Sequence, residues 1–125
     1  MRYLVKIFKA LSDTNRIRIL KMLQVRPLCV CEISSVLGLA NSTVSKHLSI
    51  LKDTDFITDR KENKWVIYSL NKTTIENYVR DLLPLMMEWL PNDSIVRRDV
   101  EKVLYVDKDV LCNVSSDLIR EVVTG

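Results

Sequence analysis

The chain is short of the residues that make sharp turns, bind hard metals or build disulfide frameworks. It has two glycines and three prolines in 125 residues, which excludes collagen-like and low-complexity sequences. Histidine occurs once, as His47. No apolar run approaches the ~20 residues that cross a bilayer. The N-terminal MRYLVKIFKALSD is too charged and too periodic for a secretory leader. There is no Gly-rich phosphate loop and no C-x-x-C, so an enzyme built on either finds no support. With no export signal, the three cysteines, Cys29, Cys31 and Cys112, are expected in a reducing cytoplasm, as thiols or as ligands.

What remains suffices for one core, since 47% of the residues are hydrophobic. The charge is unevenly spread. Residues 1–70 hold 12 Lys and Arg against 6 Asp and Glu, and residues 71–125 hold 7 against 10. A basic first half beside an acidic tail points to a polyanionic partner for the first half.

The spacing predicts a succession of helices. Leu4, Ile7, Phe8 and Leu11 form one helical stripe. Ser12 and Asp13 cap a second helix, with Ile17, Leu20 and Leu23 inward, and Arg26-Pro27 ends it. A third runs from Cys29 or Val30 to Leu37, and Gly38 suits a left-handed turn. Asn41 and Ser42 are expected to cap a fourth, reaching Asp53, with Val44, Leu48 and Leu51 facing the core. Two helices joined by a tight Gly turn, the second polar and basic outside, read as a helix-turn-helix. In FITDRKENKWVIYSL, alternating β-branched and aromatic residues flank a cationic tip, which predicts a β-hairpin wing. Residues 72–90 are expected to form a long helix, kinked or split by Pro84. With the first helix it offers a dimer interface through Leu4, Ile7, Phe8, Val79, Leu82, Met86 and Trp89. Residues 94–104 can form another helix, as can 116–123. The fold class is mainly α with a small β-hairpin, a winged helix-turn-helix in the order α-α-α-α-β-β-α. It divides into a DNA-binding and dimerisation domain, 1–90, and a C-terminal extension, 91–125.

Four segments, ALSDTNRIRIL, LCVCEI, STVSKHLSILKD and DRKENKWVIYSL, occur in the order seen in the ArsR/SmtB family of metal-responsive repressors. Over residues 3–90 the chain resembles that family, and LCVCEI resembles the cysteine motif of its arsenic-sensing branch. The resemblance implies a cytoplasmic homodimer that binds double-stranded operator DNA of inverted-repeat symmetry and is released by a metal or metalloid. It also implies a third cysteine three residues after the second, where this chain has Ser34. Family members that sense zinc, cobalt or nickel use His and carboxylates on the last helix. Residues 72–90 contain no His, so a site of that type cannot be built here.

For DNA, Lys46, Lys52, Arg60, Lys61 and Lys64 can neutralise phosphates, while Ser42, Thr43, Ser45 and His47 can reach base edges or the backbone. For the sensor, soft thiolates select soft ions. As(III) or Sb(III) is the expected inducer, with Cd(II), Pb(II) or Cu(I) behind them, and no obligatory cofactor is expected. On a helix, residues two apart point about 200° away from each other, so Cys29 and Cys31 cannot grip one ion unless the first turn distorts. The sequence leaves open whether Cys112 supplies a third ligand or an external thiol does. It also leaves open a redox or persulfide sensor and a metal-blind regulator.

Overall fold

The computed structural model describes residues 1–108 and residue 111. Helices α1 (Arg2–Leu11) and α2 (Thr14–Val25) come first. Asp13 caps α2, its side chain accepting from the Arg16 amide at 3.1 Å. A two-residue strand, β1 (Leu28–Cys29), leads into α3 (Val30–Leu37), and α4 (Asn41–Asp53) follows. Gly38 ends α3 at φ 70°, the left-handed conformation that favours glycine. Strands β2 (Ile57–Glu62) and β3 (Trp65–Leu70) form the hairpin, and α5 (Asn77–Glu88) and α6 (Ser94–Val103) complete the described chain.

The winged helix-turn-helix is present, with one addition to the expected hairpin. β1 pairs antiparallel with β3, Leu28 opposite Tyr68 and Cys29 opposite Ile67, so the sheet order is β1-β3-β2. In the wing Glu62 pairs with Trp65, leaving a two-residue turn at Asn63–Lys64. Asn63 takes φ 57° there, which Asn tolerates better than most residues.

Several expectations at helix ends are corrected. α4 is preceded by Ala40 in extended conformation, with no side-chain cap, so Asn41 and Ser42 lie inside the helix and do not cap it. α5 begins at Asn77 and not near residue 72, because the Glu76 side chain takes the Val79 amide at 2.7 Å and starts the helix there. Ile75, read as part of the apolar stripe, is 92% exposed. The helix runs through Pro84 as a single element.

The core gathers Ile7, Ile19, Leu20, Met22, Leu28, Ile33, Val44, Leu48, Leu51, Phe56 and Val79, all fully buried or nearly so. Three members of the expected dimer surface, Ile7, Val79 and Met86, are buried inside this single chain. Their apolar area is used within the protomer. α6 packs on α2 and α3, and Val103 joins the same core, so the packing continues past residue 90. Asp99, 1% exposed, receives Arg18 Nε at 2.7 Å and Nη2 at 2.9 Å, clamping α6 to α2. That bond raises the Arg18 guanidinium above its ordinary value.

Candidate functional site: a reading face beside a cysteine pair

The face that would meet DNA is built by α4 and the wing. Val44, Leu48 and Leu51 seat α4 in the core, which turns Ser42, Thr43, Ser45 and Lys46 to solvent at its N-terminal half. The cations of α4 and the wing divide into two groups. Lys52 Nζ lies 2.9 Å from Asp59 Oδ2, a bond that raises its pKa and ties α4 to β2. Arg60 is shared between Glu62, at 3.3 Å, and Ser69, at 3.4 Å. Lys46, Lys61 and Lys64 have no carboxylate partner among the described residues, and Lys64 Nζ lies 4.8 Å from the Trp65 ring centroid.

His47 belongs to a packing network. Arg16 Nη1 lies 3.1 Å from His47 Nδ1. Because a guanidinium only donates, Nδ1 must accept, which fixes the neutral ring as the Nε2–H tautomer. Arg16 also donates to the carbonyls of Ala10 and Lys9, at 2.7 and 3.1 Å. Those two residues lie in the last turn of α1, so one arginine joins α1, α2 and α4. A second tie runs from Tyr3 Oη to Asp55 Oδ2 at 2.7 Å, across to the turn after α4. Burial and that bond push the Tyr3 phenol well above its usual range.

The cysteine pair lies at a junction. Cys29 sits in extended backbone (φ −94°, ψ 171°) as the last residue of β1 and the cap of α3. Cys31 is the second residue of the helix. The premise that both thiols ride one helical turn is therefore corrected: the pair straddles strand and helix. Cys29 is 2% exposed. Cys31 is half-buried and lines a polar pocket of about 220 Å³ with Ser34, Ser35, Asn41 and Leu111. Ser34 does not offer its hydroxyl hydrogen to that pocket, because Oγ donates to the Leu39 carbonyl. Among the described residues no group of three or more His, Cys, Asp or Glu is placed to hold a metal ion. Cys112 lies outside the described residues, as does the expected helix at 116–123.

The sequence reading missed what surrounds Cys29. Its N–H donates to Glu32 Oε1 at 3.0 Å, and a capping box closes between the two residues. Glu32 is 3% exposed, and its other oxygen takes Arg26 Nη2 at 2.9 Å. The signal was there as a glutamate three residues after a cap position, hidden because cysteine is not an ordinary capping residue.

Comparison with known proteins agrees with this architecture. Residues 13–59 match the family described as bacterial regulatory protein, arsR family. The chain is 39% identical over 75 residues to a cadmium resistance transcriptional regulatory protein CadC homolog of Staphylococcus aureus, over 59% of this chain and 62% of that protein. It is 30% identical over 93 residues to the arsenic resistance transcriptional regulator ArsR1 of Pseudomonas putida, over 71% of this chain and 73% of that one. Among solved structures, reduced HlyU from Vibrio cholerae superposes with a TM-score of 0.60 at 32% identity, over 73% of this chain and 92% of that one. On sequence and on the winged scaffold alike, the chain belongs to the arsR family of bacterial regulatory proteins, a family of DNA-binding transcription regulators and not of enzymes.

Proposed function

We propose that the protein is an operator-binding homodimeric repressor whose hold on DNA is weakened when Cys29 and Cys31 take up a soft ion. As(III) or Sb(III) is the favoured inducer, with Cd(II) or Pb(II) next. The observation that carries this reading is the position of Cys29. One residue is at once the cap of α3, a rung of the β1–β3 ladder opposite Ile67, and a near neighbour of the pocket-lining Cys31. To share an ion with Cys31, the buried Cys29 thiol must turn out of the core. That movement pulls on the wing strand through β3 and on the first turn of α3, and α3 packs on α4. Both DNA-reading elements therefore feel the same displacement, which is the differential state a repressor needs. The helix N-terminus favours the thiolate form at both positions. The relatives named for arsenic and cadmium resistance support the choice of ion class.

Contacts with DNA are assigned to Ser42, Thr43, Ser45 and Lys46 on α4, and to Lys61 and Lys64 on the wing. Lys52 and Arg60 reach phosphate only by leaving Asp59 and Glu62. A third ligand comes from Cys112 or from an external thiol, and the Cys112→Ser variant separates the two.

The test is operator binding by fluorescence anisotropy on reduced protein, titrated with arsenite. Wild type should release DNA, and Cys29→Ser and Cys31→Ser should hold it at arsenite concentrations at least about tenfold higher, as expected for a coupling of 1–3 kcal/mol. Cys112→Ser should be intermediate where Cys112 is the third ligand and should match wild type where an external thiol is. Wild type that holds its operator in arsenite, antimonite and cadmium but releases it in peroxide or polysulfide would move the thiols to redox sensing.

A further inference from the structure

Arg26 has no part in either expected site, yet it gathers four acceptors. Nη1 donates to its neighbour's carbonyl, Pro27 O, at 3.2 Å. Nη2 donates to Glu32 Oε2 at 2.9 Å, to Val103 O at 3.1 Å and to Val106 O at 2.9 Å. The last two are the end of α6 and the chain just beyond it. Glu32 in turn holds the Cys29 amide. Beyond Val106, the described residues Lys108 and Leu111 lie beside the wing and the Cys31 pocket. Lys108 Nζ lies 5.3 Å from the centroid of Trp65, the first residue of wing strand β3. Leu111, whose amide donates to Asp107 O at 2.9 Å, reaches the pocket of Cys31 and Asn41. A run of contacts thus links Cys29 through Glu32 and Arg26 to the end of α6, and Lys108 carries it on to the wing.

We propose that Arg26 is a positioning residue that locks residues 104–108 against the wing, so that ligation of the thiols releases Lys108 from Trp65. The inference rests on the thiol-sensing reading for its trigger but not for the lock itself. One carboxylate serves both contacts, Oε1 accepting from the Cys29 amide and Oε2 from Arg26. A carboxylate that accepts both the Cys29 amide and the Arg26 guanidinium cannot keep both when the backbone at Cys29 moves. Glu32 is buried and Arg26 is the only ion-pair partner recorded for it among the described residues, so loss of this bond leaves a desolvated charge with a strong tendency to rearrange. Arg26 then loses its anchor, and its carbonyl contacts at the end of α6 and just beyond it remain as neutral acceptors only. Because the lock is made in the unligated state alone, weakening it should favour ligation. Lysine in place of arginine keeps the charge but not the planar fork that spans several acceptors.

The experiment is ¹⁹F NMR on the full-length dimer carrying 5-fluorotryptophan at Trp65 and Trp89, the two resonances assigned with a single Trp89→Phe sample. It compares wild type, Arg26→Lys and Lys108→Met, without and with arsenite, alongside operator anisotropy. Without arsenite, Arg26→Lys should move the Trp65 resonance toward the position seen in Lys108→Met and leave that of Trp89 in place. With arsenite, the wild-type Trp65 resonance should move the same way, at the concentration that releases operator. The arsenite midpoint of Arg26→Lys should fall about five- to tenfold, within the usual range of coupling between sites. A residue that merely stabilises the fold would lower the melting temperature and leave both the Trp65 resonance and the midpoint unchanged, and that result would overturn the proposal. Wild type that releases its operator with Trp65 unmoved would overturn it equally. If arsenite releases nothing, the thiol reading fails, while the arsenite-free comparison still decides whether Arg26 holds the segment.

Discussion

Lys21 illustrates how a single residue can carry a cost and a benefit together. It is 6% exposed, and its ammonium donates to the carbonyls of Met86, Met87 and Trp89 at 3.1, 3.3 and 2.7 Å. These carbonyls belong to the end of α5, where the helix dipole is negative. Burial pushes the Lys21 pKa below its ordinary value. As pH approaches the lysine range, the unfolded chain therefore binds more protons at this site than the native one. The site's contribution to stability rises with pH through the window between the lowered value and the ordinary ~10.4. Lys21→Met strands buried carbonyls and should lower the unfolding free energy by about 1–3 kcal/mol at neutral pH. The gap between wild type and variant should widen as pH rises toward the ordinary lysine value of ~10.4. Denaturant melts at several pH values measure both, and a gap that narrows with pH would contradict the assignment. No sequence pattern marked Lys21, because it sits among apolar residues of α2 and its acceptors lie on another helix.

Elements differ in how far the sequence announced them, and the reason is local against tertiary control. α4 was legible because Val44, Leu48 and Leu51 repeat at helical spacing and the same period leaves its polar face outward. The wing was legible from alternation in WVIYSL. β1 was not, since two residues carry no period and Leu28–Cys29 become a strand only by pairing with Ile67 and Tyr68. That omission placed Cys29 in a helix and misdirected the geometry of the pair. α6 was visible as a helix, but its partner was not. The bond from Asp99 to Arg18 joins residues far apart in sequence, and neither residue type is expected in a core. Asp99→Asn should therefore cost about 2–3 kcal/mol, below the full value for a buried pair because the Arg18 side chain is still 21% exposed. Removing both charges, as Arg18→Met with Asp99→Leu, should recover most of that loss. Hydrogen exchange should report faster opening of α6 in Asp99→Asn than in the double variant. Equal exchange in the two would mean that the pair does not hold the helix.

At the scale of the whole molecule, the question is what covers the apolar residues left outside the core. α1 and α5 pack on each other and, with Trp89 at the cap of α5, present Val5, Phe8, Tyr78, Leu85 and Trp89, each between 43% and 56% exposed. Leu4 and Leu82 are half-buried beside them. Sequence cannot separate such residues from the core, since Ile7 and Phe8 are equally apolar neighbours, yet Ile7 is fully buried and Phe8 is 56% exposed. The two should therefore fail differently. Ile7→Ala opens a cavity and should cost about 2–5 kcal/mol of stability in the protomer itself. Phe8→Lys touches little of that core and should leave the fold intact, while placing a charge where a twofold partner would bury an aromatic ring. Sedimentation should then find Phe8→Lys monomeric at concentrations where wild type is dimeric. Its operator affinity should fall by more than about a hundredfold, because a single half-site gives up the effective concentration that links two binding events. Circular dichroism should show an unchanged helical spectrum. A Phe8→Lys protein that remains dimeric and grips its operator as wild type does would place the twofold contact elsewhere on the molecule, and α1 and α5 would have to be read as an exposed face with another use.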